Sequence, residues 1–180
     1  MALYFYTAAS LPSLVFEEEP YYSTDDVLEL CSRELKSRDQ DAVKEASDYF
    51  AGGESAPFLS KSLTRFDTWE RSVRAILSRL RAQKLGWEYE APEISDESGA
   101  DRVARDAISQ SSPFEAEMII QRARWNRLSE IGVNHFFDID FLVVYLLMLG
   151  VSERNSVMET ERGAERFNEI YSGMVQTLKS

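Results

Sequence analysis

Cysteine and histidine each occur once in the 180 residues, as Cys31 and His135. A lone cysteine closes no intramolecular disulfide. One histidine leaves Cys/His zinc sites, His-based triads and the paired Glu-x-x-His motifs of di-iron bundles without most of their ligands. Glycine (8) and proline (5) are scarce, which argues against turn-rich sandwiches and barrels and against glycine-rich phosphate loops. No Lys or Arg precedes Arg33, so the basic start of a secretory signal is missing and a cytoplasmic chain is expected. The longest unbroken apolar run, residues 141–149, is well short of the roughly 20 residues of a membrane-spanning helix, and no span is expected.

What is present is an acidic chain that is 44% hydrophobic and 28% charged, with net charge −11. A chain of this size buries roughly 70% of its unfolded surface, enough for one domain without a disulfide or metal. The negative charge argues against nucleic acid as a partner, because phosphate binding is driven by cation excess. The charge is uneven: residues 1–60 hold 12 acids and 4 bases, residues 61–86 hold 2 and 7, and residues 87–180 hold 17 and 9. The middle segment is a basic island.

Hydrophobic periodicity predicts an all-α, irregular single-domain bundle of six or seven helices. The aromatic start LYFYTAASLPSLVF is compatible with a short helix or a strand. Ser23 with Asp26 forms a capping box for a helix over 24–35, whose apolar stripe contains Cys31 as a buried structural thiol. Ser37 with Gln40 is expected to cap the second helix, which ends at Gly52-Gly53. A third, over 63–85, turns Phe66, Trp69, Val73, Ile76, Leu77 and Leu80 inward. Residues 87–99 have no period and read as a mobile loop. A short helix over 101–109 follows. Ser112, Pro113 and Glu115 then open a helix to about Ile131 that is apolar on two arcs, and Asp138 caps an apolar helix over 139–158. Thr160 is expected to open a last helix with Phe167, Tyr171, Met174 and Leu178 inward.

Three groups of residues could carry function. Arg71, Arg74, Arg79 and Arg81 lie on the outer side of the third helix, partly answered by Asp67 and Glu70 at helical spacing. They are candidates for a partner-binding face, as are the N-terminal Tyr4, Phe5 and Tyr6. Glu117 and Arg124, two turns apart between the two apolar arcs, are expected to join a buried structural ion network, with Arg74, Arg81 and Glu153 as candidate members. His135, Asp138 and Asp140 have the composition of a metal site. An Asp opening a helix is a common cap, however, and two aspartates two positions apart on a helix diverge, so no metal, no cofactor and no catalytic residue is assigned.

Four segments in order, YFYTAASLP, FDTWERSVRAILSRLRAQKLGW, SPFEAEMIIQRARWNRL and FDIDFLVVYLLML with ETERGAERF, resemble a small family of uncharacterised bacterial proteins encoded beside V-type ATPase subunits. The resemblance spans nearly the whole chain. It implies a non-enzymatic subunit or assembly factor of a rotary, ion-translocating ATPase, contacting stalk or rotor-ring subunits without inserting in the membrane. It is distantly similar to the all-helical C or d subunit that seats the central stalk. That subunit is built of three similar helical parts, whereas this chain has 180 residues and no internal repeat, so it would supply only some of such a funnel. The alternatives are a free-standing acidic helical adaptor, and a small metal-dependent hydrolase centred on His135.

Overall fold

The computed structural model describes residues 4–52, 57–88 and 99–177, with side chains as far as 158 and at 160. Within these, seven α-helices and one 3-10 turn form the chain, and there is no strand among the described residues. The fold class is all-α. The open question at the N-terminus resolves as a short helix, α1, Phe5–Ser10. Then come α2, Thr24–Glu34, α3, Ser37–Asp48, α4, Lys61–Leu85, α5, Ala100–Ile108, α6, Pro113–Gly132, and α7, Ile139–Thr177.

Side-chain caps open α2 and α4, whereas the caps expected at Ser37 and Ser112 do not form. The capping box at the head of α2 is complete: the Ser23 hydroxyl accepts the Asp26 N–H and the Asp26 carboxylate accepts the Ser23 N–H. Ser60 caps α4 by accepting the Leu63 N–H, two residues ahead of the expected boundary. Pro113 occupies the first turn of α6, but Ser112 makes no side-chain cap there. At α3 the N-cap is Lys36, without a side-chain bond. Gln40 instead donates to the carbonyls of Ser32 and Leu35 (both 2.9 Å), so it satisfies the end of α2, whose last carbonyls lack helical partners. At its far end α4 stops on Gly86, at φ 69°, a left-handed conformation that glycine adopts at little cost.

The core gathers around α7, which packs against α2, α3, α4 and α6. Residues 142–147 are all buried, as the all-round apolar pattern requires. α6 packs on α7 at one side and on α4 and α5 at the other, which accounts for its two apolar arcs. The structure corrects one expectation here. Thr160 does not open a new helix: α7 runs unbroken from Ile139 to Thr177, and the Thr160 hydroxyl donates back to the Ser156 carbonyl (2.8 Å) inside it. Ile139–Met158 is also long and apolar enough to cross a membrane, although no unbroken apolar run reaches that length. More than half of its most apolar stretch is buried by the other helices, as in the central helix of a bundle. The connection expected over 87–99 lies, except for Trp87, Glu88 and Gly99, outside the described residues, as do the side chains of Phe167, Tyr171, Met174 and Leu178.

Candidate partner-binding surface

The buried charges are centred on Glu70, which the sequence presents only as a helical neighbour of Arg74. Arg124 Nε and Nη2 donate to Glu70 Oε2 and Oε1 at 3.0 and 2.5 Å, and Arg74 Nε donates to Glu70 Oε1 at 2.9 Å. Glu117 Oε1 lies 3.3 Å from Arg124 Nη1 and accepts the Gln121 amide at 3.0 Å. Burial works against ionised Glu70, but the bond and charge of Arg124, with Arg74 behind them, hold its carboxyl below the usual range. Glu153 has a different task. Its two oxygens accept the Thr24 N–H (2.7 Å) and hydroxyl (2.8 Å), tying α7 to the positive end of α2. Arg81 is exposed and outside this network.

On the outer face of α4, Arg71 pairs with Asp67 at 2.9 Å and Arg74 with Glu70. Asp67 in turn accepts the Tyr49 hydroxyl at 3.1 Å. Burial, reinforced by Asp67 and Glu70, pushes that phenol far above its ordinary range. Arg79 and Arg81 are exposed; Arg79 adds to the bond and charge of Arg105 in holding the Asp101 carboxyl of α5 below its ordinary value, so it faces a carboxylate without a close ion pair. Further arginines, unremarked in the sequence, come from the next helices. Arg102, Arg122 and Arg127 line a cleft of about 440 Å³ with Trp69, Val103 and Ile119. Asp106, Glu17 and Glu130 pair with those three cations.

The N-terminal aromatics also divide. Tyr4 belongs to the core: it is 8% exposed, its N–H donates to the Phe137 carbonyl (2.6 Å), and its hydroxyl donates to Asp39. It is not available as a contact residue. Phe5 and Tyr6 point the other way on α1, and Phe5 packs on Phe137 with ring centroids 4.6 Å apart. Phe136, Phe137 and Val133, from the α6–α7 connection, are exposed as well. The sequence signal for these is the dipeptide Phe136-Phe137, just outside both helical stripes.

His135, Asp138 and Asp140 do converge, with one possible ligand atom from each lying within 4.8 Å of the others. The expected divergence of the two aspartates is corrected by the turn before α7, because Asp138 precedes the helix while Asp140 is in its first turn. Three of the four carboxylate oxygens are already engaged. Asp138 accepts the Phe141 N–H (2.9 Å) and lies 2.7 Å from His135 Nδ1. Asp140 Oδ1 accepts the Ser60 hydroxyl (2.7 Å) and the Ser62 N–H (3.3 Å), which joins the starts of α4 and α7. Burial opposes ionised Asp140, but these bonds from Ser60 and Ser62, and the nearby His135, hold its carboxyl below the ordinary value.

No curated protein and no solved structure matches the chain. Residues 105–178, from the end of α5 through α6 and α7, match the model of a family described as Protein of unknown function (DUF2764).

Proposed function

We propose that this chain is a non-enzymatic docking subunit or assembly factor of a V-type, rotary ion-translocating ATPase, acting at the cytoplasmic side through stalk or rotor-ring subunits. The observation that supports a docking role most directly is the aromatic patch at one end of the bundle. Tyr6 is 89% exposed, Phe136 65% and Phe5 50%, with Phe137 and Val133 beside them. Large apolar side chains clustered in water mark interaction surfaces, and a stiff bundle presents them without a large ordering cost. The choice of partner rests on the family resemblance of the four segments. The second contact is the exposed pair Arg79 and Arg81 of the basic island, which would steer an acidic partner surface. A free-standing adaptor for another protein would use the same patch.

Affinity purification of the tagged chain from its native cell, with mass spectrometry, tests the reading. Stalk or rotor-ring subunits should co-purify, and Phe5→Ser with Phe136→Ser should release them while the helical circular dichroism stays unchanged. Charge reversal at Arg79 and Arg81 should weaken docking more at low salt than at high salt, since exposed charges are screened beyond about 8 Å at physiological ionic strength. Recovery of an unrelated partner through the intact aromatic patch would favour the adaptor and remove the ATPase.

A further inference from the structure

The cleft of about 440 Å³ lined by α4, α5 and α6 combines apolar and basic residues. Val103 of α5 and Ile119 and Ala123 of α6 line it together with Trp69 of α4, and all but Trp69 are only partly buried. Neighbouring helices therefore leave apolar surface in the cleft that a further side chain could cover. Among the lining residues Arg102, Arg122 and Arg127 stand against Asp106 and Glu130. In a chain of net charge −11 this is a local inversion of sign.

Two of these cations are open to exchange. Arg102 is 87% exposed, and its Nε lies 3.6 Å from Asp106 Oδ2, too far for a hydrogen bond. Arg122 is held by Glu17, but both side chains of that pair are more than half exposed. Such pairs in water contribute at most about 1 kcal/mol each, so a carboxylate arriving from outside can take the place of Asp106 or Glu17 at little cost. A purely acidic ligand would leave the apolar lining wet, and a purely apolar one would desolvate the guanidiniums without answering them. The phosphates of a nucleic acid would meet the repulsion of the whole acidic chain. The lining runs from Ile119 to Glu130 on α6, about 16 Å at the helical rise of about 1.5 Å per residue, which about five residues of extended peptide span.

We propose that this cleft docks an acidic segment of a partner protein, with one large apolar side chain seated between α5 and α6 and the flanking carboxylates on Arg102 and Arg122. The assignment does not rest on the rotary-ATPase reading and shares no residue with the aromatic patch. It is tested on the full-length, isotopically labelled chain by NMR titration with the capped hexapeptide Glu-Glu-Phe-Leu-Glu-Glu, a second with Gln in place of every Glu, and a third with Ser in place of Phe and Leu. The first peptide should shift the Asn126 side-chain amide and the Val103 and Ile119 methyls, which line the cleft, saturably and with an affinity that falls as salt is raised. The other two should each bind about fivefold more weakly or worse. Arg102→Gln with Arg122→Gln, both at exposed positions, should weaken the first peptide about fivefold or more while circular dichroism stays unchanged. Arg38→Gln with Lys44→Gln on α3, which changes the net charge equally, should leave its binding intact. Absence of a saturable shift, equal binding of either control peptide, full binding by the Arg102 and Arg122 variant, or an equal loss in the α3 variant would each overturn the assignment.

Discussion

Arg124 of α6 grips Glu70 of α4 through two parallel hydrogen bonds, Nη2 to Oε1 at 2.5 Å and Nε to Oε2 at 3.0 Å, with the side chains only 8% and 1% exposed. This fork-to-fork geometry satisfies both charges away from water. It also makes each partner dependent on the other. Arg124→Met leaves Glu70 with only the half-solvated Arg74, and Glu70→Leu leaves a buried guanidinium facing Glu117 alone. Either single variant should lose about 3–5 kcal/mol of stability in urea unfolding. The double variant should lose much less than the sum, because two apolar side chains leave no orphaned charge. Additive losses would mean that the pair is not energetically coupled.

Acid should unfold this protein partly through the same pair. Burial would raise the Glu70 carboxyl, but the bond and charge of Arg124 outweigh it and depress the folded-state value. A carboxyl with a depressed value adds stability above its unfolded value, about 4.3 for Glu, and that stability is lost as pH falls through the folded value. Asp140, lowered by the Ser60 and Ser62 bonds against burial, acts in the same direction. Urea midpoints should therefore fall steeply between about pH 5 and pH 3, and less steeply in Glu70→Gln or Asp140→Asn. An unchanged acid slope in both variants would place the acid sensitivity elsewhere.

Cys31 should be inert. It is fully buried in α2, and burial pushes its thiol up to about 11, so almost no thiolate exists at neutral pH. A thiol-disulfide reagent should label it only as fast as the chain unfolds, with labelling accelerated by urea. Rapid stoichiometric labelling of the native protein would show a reactive, accessible thiol instead.

Trp69 and Leu80 share the inward stripe of α4 but not its burial. Trp69 is 3% exposed and packs beside Phe66, with ring centroids 6.0 Å apart. Leu80 is only partly buried, packed at the edge of the core. Trp69→Ala should cost about 3–5 kcal/mol. Leu80→Ala should stay below the roughly 2 kcal/mol at which a fully buried leucine begins. Equal losses in thermal or urea unfolding would show that periodicity, and not local burial, predicts the energetics here.

The sequence by itself determined the helical class, because the 3.6-residue period of α4 and the caps at Ser23 and Asp138 are local features that neighbouring residues can satisfy. It determined that Cys31 and the Phe66-Trp69-Val73 stripe face inward, since one side of an amphipathic helix has to leave water. Tertiary structure decided the rest. Whether Thr160 begins a helix or sits inside one depends on the backbone before it continuing as helix, and there the hydroxyl bonds back to Ser156. Which acid meets Arg124 was open among Glu117 and Glu153 until α4 brought in Glu70, 54 residues away in sequence, and α2 engaged Glu153 through Thr24. Tyr4 was drawn inside by a hydroxyl bond to Asp39 of α3, whereas its neighbours Phe5 and Tyr6 stayed outside. Local propensity fixes which faces are apolar, but ion-pair partners and exposed patches are set by which helix covers which face, a property of the packed chain that no short segment encodes.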